Sequence, residues 1–301
     1  MSVVVSVVIA CNDADTVIVE CLERILGQGK SPDLEVILAM GSENGLAAGV
    51  EKQFPWVKLL RLERPTTLPV LRGRAIAMAN GDIIAILDPY SMVSQDWKEQ
   101  VIAAHSVWPN AVIGGAVDLY QAEHQGLLAW AQYFNEYGMF MSPVEEGAMD
   151  ILPGCNLSYK RKRLFKDDKP VFDEFWKTFV HEDLEASGDE LWQAPAVRVE
   201  LYKPVGFFRF LASRFTHGRC YAAMRCTGAP LFSRVLRGLT APLLPFVLQY
   251  RWGKRIWPKR HHRGKFILTL PIQFALFACW SLGELVGYLA GGGDSCRKLY
   301  F

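Results

Sequence analysis

The chain has 301 residues, half of them apolar and 21% charged, which excludes a wholly disordered polypeptide and leaves room for one large domain or two ordinary ones. Its net charge of +2 hides an asymmetry: residues 1–200 hold 17 Lys/Arg against 29 Asp/Glu, residues 201–265 hold 14 Lys/Arg and no acid, and residues 266–301 hold two of each sign. An acidic soluble part, a basic part and an apolar tail therefore share one sequence.

Residues 3–9 are a near-continuous apolar, β-branched run, as expected of a strand covered on both faces. The run lacks a basic leader and ends at Cys11-Asn12-Asp13, so it reads as a first strand rather than a signal peptide. Val17, Cys21, Leu22, Ile25 and Leu26 recur at helical spacing, and the stretch 28–32 ends that helix. Strands follow at 34–39 and 57–62, a helix at 71–78 closed by Asn80-Gly81, and a strand at 83–87 that delivers Asp88 at its C-terminal end. Alternation of this kind predicts an α/β fold with a parallel sheet, in which ligands bind at the C-terminal edge of the strands. Neither a Gly-x-Gly-x-x-Gly fingerprint after the first strand nor a Walker A sequence is present, which argues against NAD or FAD.

Trp130, Tyr133, Phe134, Tyr137 and Phe140 also recur at helical spacing and read as packing. The run Lys160-Arg161-Lys162-Arg163 reads as a solvated or membrane-facing patch. Seven cysteines at 11, 21, 155, 220, 226, 279 and 296 make no CxxC pair, and their number is odd. Structural zinc and a disulfide framework are both poorly supported, and a reducing compartment is the simpler expectation.

Residues 266–283 carry no charge, and only Glu284 interrupts the apolar character before Gly291. That length is sufficient to cross a bilayer. The preceding residues 251–265 hold seven Lys/Arg plus His261 and His262, a flank suited to a cytoplasmic, anionic membrane face. The 12-residue run 239–250 contains Pro242 and Pro245 and fits an interfacial or re-entrant piece.

Four blocks in order then carry a family resemblance. They are Val5-Ser6-Val7-Val8-Ile9-Ala10-Cys11-Asn12; Arg72 with Ala79-Asn80-Gly81-Asp82 and Ile86-Leu87-Asp88; Gly154-Cys155-Asn156-Leu157-Ser158-Tyr159-Lys160-Arg161; and His181-Glu182-Asp183-Leu184-Glu185. Together they resemble a membrane-associated family 2 glycosyltransferase with the GT-A fold, a nucleotide-diphospho-sugar transferase fold, over about residues 4–200. The resemblance implies an inverting enzyme whose nucleotide-sugar contacts come from Ala10, Asn12, Arg72 and Asp88. It implies an acceptor side at Gly154, Cys155 and Asn156, a catalytic base at Asp183 with Glu182 as competitor, and a Mg2+ or Mn2+ ion. Two departures bear on this. Ala39 and Met40 stand where the family commonly has acidic residues, and Asp88-Pro89-Tyr90 stands in place of Asp-x-Asp. Gly73 also replaces a frequent Asn.

The chemistry explains why these residue types matter. A departing nucleoside diphosphate develops negative charge that a metal ion, Arg or Lys must offset. Arg214, His217 and Arg219 lie within six residues in an acid-free region and are candidates, the arginines for the diphosphate and His217 to complete a metal site with Asp88. Cationic side chains in place of the ion are the other reading. The acceptor hydroxyl must lose a proton to a carboxylate, and a single displacement with one base inverts the anomeric centre.

The expected organisation is a GT-A domain at 1–200, a basic amphipathic membrane-interface region at 201–265, a hydrophobic transmembrane or re-entrant segment at 266–291, and a tail at 292–301. The expected partners are a nucleotide-sugar donor, a lipid-linked or envelope-glycan acceptor and anionic lipid, with no nucleic acid, at the cytoplasmic face of a membrane. The alternative is a non-catalytic GT-A-like membrane scaffold or regulatory protein.

Overall fold

A computed structural model describes residues 3–11, 17–27, 33–41, 46–63, 66–201, 203 and 205–299. In chain order the main elements are β1 (Val5–Cys11), α1 (Val17–Leu26), β2 (Leu34–Gly41), α2 (Leu46–Gln53), β3 (Lys58–Leu62), α3 (Leu68–Ala77), β4 (Ile83–Leu87), β5 (Ser91–Val93), α4 (Trp97–Val107), β6 (Ala111–Leu119), α5 (Leu127–Glu136), β7 (Gly147–Ala148), β8 (Asn156–Lys160) and the one-turn α6 (Arg161–Leu164). There follow β9 (Phe165–Lys166), β10 (Lys169–Pro170), α7 (Lys177–Ala186), β11 (Glu190–Leu201), α8 (Phe207–Arg225), α9 (Leu231–Thr240), α10 (Leu244–Ile256) and α11 (Arg263–Ala290). The chain forms two units: residues up to Tyr120 with 140–202, and Gln121–Met139 with Lys203–Leu299. The boundary differs from the expected one, because α5 leaves the α/β part to join the C-terminal helices.

The α/β unit is built on one sheet in the order β3-β2-β1-β4-β8-β6-β11-β5, with β7 also pairing β11. β3, β2, β1 and β4 run parallel, as the apolar runs predict, and every residue of β1 and β4 is buried. β8 is antiparallel to both β4 and β6, while β11 is parallel to β6. β4, β6 and β11 therefore share one direction. Pro195 lies inside β11, and the register shifts between Ala194 and Arg198 because proline cannot donate to the ladder. One face of the sheet is closed by α3 and α7, whose Leu71, Ala75, Ile76, Val180 and Leu184 pack with Val8, Ile37, Ile86 and Tyr159. α3 starts earlier than its periodicity suggests, because Pro69 sits in its first turn, where a missing N–H costs nothing. The basic run at 160–163 is partly structural. Arg161 donates to the Ala79 carbonyl, and Arg163 pairs with Asp189 at 3.0 Å.

The second unit is helical. Trp130, Tyr133 and Phe134 of α5 are buried, and Phe134 meets Phe266 edge-on, in line with their reading as packing. α11 lies along α8 at backbone distance. A Cβ at Gly283 would stand 2.2 Å from the Phe215 carbonyl oxygen, and one at Gly287 would stand 2.4 Å from that of Arg219. Pro242 and Pro245 do not break the helix. Each sits in the first turn of a new segment, a short 3-10 turn (Ala241–Leu243) and α10. Consequently Leu231–Lys259 forms a second helical stretch long and apolar enough to cross a membrane, beside Arg263–Ala290. The cysteine expectation is corrected in part: Cys220 of α8 is disulfide-bonded to Cys296 of the tail, while Cys11, Cys21, Cys155, Cys226 and Cys279 form no disulfide.

Candidate active site

The sheet positions the site at the C-terminal edge of β4. Leu87 pairs with Asn156, so Asp88 leaves β4 where Cys155 enters β8. The turn that follows is tied down on both sides. The Ser91 amide donates to the Asp88 carbonyl at 3.0 Å, the Ser91 hydroxyl donates to the Cys155 carbonyl at 3.0 Å, and the Cys21 thiol donates to the Ser91 carbonyl at 3.1 Å.

α3 brings Arg72 to this edge. Its Nη2 donates to Asp88 Oδ1 at 2.6 Å, both side chains are largely shielded from solvent, and the Arg72 Nε is buried without a hydrogen-bond partner. Gly73 explains itself here. A Cβ at this position would lie 2.2 Å from the Asp173 carbonyl oxygen, so only glycine lets the segment 173–175 cross α3. The Phe175 amide fixes that crossing by donating to the Pro69 carbonyl at 2.9 Å.

The crossing delivers Lys177 to the first turn of α7. Its Nζ donates to the Leu152 carbonyl at 2.7 Å, and its stem approaches the Cβ position of Gly154 at 3.9 Å. Burial pushes the Lys177 ammonium down to about 8. The Cys155 thiol and the Asp88 carboxylate oppose that shift, and the Arg72 charge adds to it. Arg72, Asp88, Cys155 and Lys177 thus sense one another at one edge of the sheet. Sequence reasoning missed Lys177; its only signal was its place just past the Asp173-Glu174 turn, since nothing in its type separates it from a surface lysine.

The carboxylates expected to supply the base, Glu182 and Asp183, lie further along α7. α7 descends from Lys177 and ends at Ala186, directly before β11 starts at Glu190. Because β11 runs in the direction of β4, its start marks the N-terminal edge, opposite Asp88. Asp183 stands six residues, or about 9 Å of helix rise, beyond Lys177 toward that edge. Its carbonyl accepts the closing-turn hydrogen bond from the Ser187 amide at 3.1 Å. Glu182 and Asp183 are exposed, whereas Val180, His181 and Leu184 face the core. His181 Nε2 shares a 2.7 Å hydrogen bond with the Tyr159 hydroxyl, and burial, with the Lys177 charge, pushes it down to about 3. The helix that carries Glu182-Asp183 packs on the core through Val180, His181 and Leu184 and leaves both carboxylates on its exposed side.

Of the other expected residues, Ala10 is buried in β1 opposite Ala39. Asn12 lies outside the described residues. Asn156 is 1% exposed, accepts from Trp97 Nε1 at 3.0 Å and donates to the carbonyls of Ala116 and Val197, so its side chain braces the sheet. Arg214, His217 and Arg219 belong to α8 of the helical unit. Arg214 donates to Glu136 Oε1 at 2.9 Å and stacks 4.6 Å over Trp280. Lys203 reaches the other Glu136 oxygen at 3.6 Å, and the two cations hold Glu136 below its ordinary range although burial works against its charge. Burial, with the Arg214 charge, pushes His217 down to about 4, and its Nδ1 sits against Ser213. Arg219 Nε donates to the Gly291 carbonyl at 3.0 Å.

Among the described residues the donor set does not fit a divalent ion. Asp88 is the one carboxylate of its motif and is already paired with Arg72, and no group of three His, Cys, Asp or Glu able to hold a metal occurs among the described residues.

No curated protein is similar enough in sequence to count as a relative. Among solved structures the chain is similar to a mannosyltransferase from Pyrobaculum calidifontis, determined in complex with GDP-Man and Mn2+, with a TM-score of 0.50 and 15% identity over 95% of this chain and 74% of that one. At that identity the likeness speaks for the fold, which is GT-A. The model for Glycosyl transferase family 2 matches residues 6–163, just over half the chain. On its sequence and its fold, then, the chain belongs to glycosyl transferase family 2 and is a nucleotide-sugar-dependent glycosyltransferase.

Proposed function

We propose that this enzyme moves a sugar, with inversion, from a nucleotide-sugar to a lipid-linked or envelope-glycan acceptor at the surface of an anionic membrane. The observation that carries the donor half is the Arg72–Asp88–Lys177 cluster at the C-terminal edge of β4, where open α/β sheets take their ligands. Inversion rests on the family, in which one displacement and one base suffice.

The helical unit supports the membrane half. Leu231, Phe232, Leu239, Leu243, Phe246 and Tyr250 are exposed on α9, α10 and the turn between them, with Arg234, Arg237, Arg251 and Lys254 interleaved. Such a face suits lipid, each well-placed cation gaining about 1 kcal/mol near anionic headgroups. We read the unit as lying in the interface. α11 is packed backbone to backbone on α8, which carries Arg209, Arg214, His217, Arg219 and Arg225. A crossing α11 would draw that row into hydrocarbon, at about 3 kcal/mol or more for each cation near the centre.

The test is hydrolysis of a nucleotide-sugar panel, GDP-mannose included, by detergent-purified protein. Release of one nucleoside diphosphate identifies the donor. Silence together with no nucleotide binding would sink the donor reading and favour a scaffold. For the membrane half, the protein should co-float with anionic vesicles and not with zwitterionic ones, and Phe246→Glu should reduce the floated fraction.

A further inference from the structure

Among the described residues, the cluster at the end of β4 holds more positive than negative side chains. Arg72 pairs with the one described carboxylate here, Asp88, and Lys177, held on the Leu152 carbonyl, is near enough for its charge to feel both. In the Arg72–Asp88 pair a guanidinium already holds a carboxylate oxygen that a metal would need, at 2.6 Å. Against these described side chains a divalent cation meets a surplus of like charge, whereas a diphosphate meets a complementary one. The Arg72 Nε is buried without a hydrogen-bond partner while Nη2 serves Asp88, so the guanidinium charge is not fully matched by the described protein groups. Lys177 is steered rather than free. The Leu152 carbonyl holds its ammonium, and its stem passes close to Gly154, where an added Cβ would lie 3.9 Å from Cδ. The tight crossing at Gly73 places α3 and the start of α7 together, so the two cations are positioned by a single packing contact.

We infer that the donor diphosphate is held here by Arg72 and Lys177 in place of a divalent metal ion. This rests on the nucleotide-sugar reading above and goes beyond it, by assigning the counter-charge to this chain's own side chains. Lys177 and Arg72 are diphosphate-binding residues, and Asp88 is a positioning residue that orients Arg72. As the sugar bond breaks, the electron pair stays on the diphosphate oxygen, and the growing charge is met by a guanidinium and an ammonium already in place.

The experiment is equilibrium binding of GDP, UDP, ADP and CDP to the full-length protein, each in EDTA and in Mn2+. Wild type, Lys177→Met, Lys177→Arg and Arg72→Gln are compared, and thermal unfolding shows which variants are folded. One diphosphate should bind wild type with affinities in EDTA and Mn2+ equal within about twofold. Lys177→Met should bind it about 10- to 100-fold more weakly, and Lys177→Arg should recover most of that loss. Arg72→Gln should weaken binding in EDTA and regain part of it in Mn2+, because the Asp88 carboxylate is released to a cation. Binding by wild type that requires Mn2+ overturns the inference and leaves the proposed function standing. Metal-free binding unchanged in folded Lys177→Met also overturns it. No binding of any diphosphate under either condition defeats the proposed function and the inference with it. If Lys177→Met does not fold, the EDTA comparison on wild type and Lys177→Arg decides the matter.

Discussion

Asn156 offers the sharpest separation between a residue that recognises substrate and one that holds the sheet together. The bulge at Pro195 takes residues 195–197 out of the ladder, and the Val197 carbonyl loses its strand partner. Asn156 supplies one, donating to Val197 at 3.0 Å and to Ala116 at 3.1 Å while accepting from Trp97 Nε1 at 3.0 Å. Gly115 makes the room. A Cβ there would lie 1.9 Å from the Val197 oxygen and 2.0 Å from the Asn156 amide nitrogen. Truncation by Asn156→Ala leaves a fully buried indole N–H and two carbonyls without these partners. With about 1–3 kcal/mol for the orphaned donor and about 1 kcal/mol for each acceptor, the loss is about 3–5 kcal/mol, a large part of a typical domain's stability. Asn156→Asp is expected to be worse. Its first oxygen still serves Trp97, but the second faces two carbonyl oxygens at hydrogen-bond distance, so burying it costs desolvation and repulsion together. Urea unfolding followed by circular dichroism measures both losses, and sugar-nucleotide hydrolysis in the folded fraction measures activity. Should Asn156→Ala lose less than about 1 kcal/mol while raising KM for an acceptor, the bracing argument is wrong and the acceptor reading returns.

Two further outcomes are expected. Gly283→Ala should cost about 1–3 kcal/mol through overpacking of α11 on α8, whereas Gly264→Ala, with nothing within 4 Å of its Cβ, should be neutral or slightly stabilising. Thermal unfolding of the two variants side by side checks this, and equal effects would contradict the close approach. The second concerns acid. His181 (against Tyr159, near the Lys177 charge) and His105 (against Ser158, near the Lys160 charge) are both pushed down to about 3 by burial, so the unfolded chain binds protons that the fold does not. Stability is therefore full above about pH 6.5 and falls as pH drops toward 3, by an order of 3 kcal/mol for each histidine at pH 4. Urea unfolding at pH 7 and pH 5 should show the decline, and His181→Gln should flatten it; an unchanged slope would remove His181 from the account.

Much of the α/β half is legible in the chain because its signals are local. The apolar runs at β1 and β4 announce strands buried on both faces, and the alternation with helices sets their parallel order. Asp88 falls at a strand end by the same logic. The Glu182-Asp183 pair shows the limit. Its residues suit a base, but which edge of the sheet a helix residue approaches depends on the direction of the strand that follows, and that direction is set by β8 entering antiparallel between β4 and β6. Likewise, no local signal tells that α5 packs with the C-terminal helices or that Cys220 finds Cys296 across 76 residues.

The sequence by itself determined the fold class, the family, the acidic-to-basic partition and the carboxylate at the end of β4, since each depends on residue type and short-range spacing. Only the tertiary structure decided what that carboxylate faces. Gly73 in place of a bulkier residue lets residues 173–175 cross α3, the crossing brings Lys177 within electrostatic reach of Arg72 and Asp88, and the charge of the site is the sum of groups brought together from separate elements. Electrostatic energy depends on distance in space and not on separation along the chain, so the sign of this edge exists only once the chain has folded.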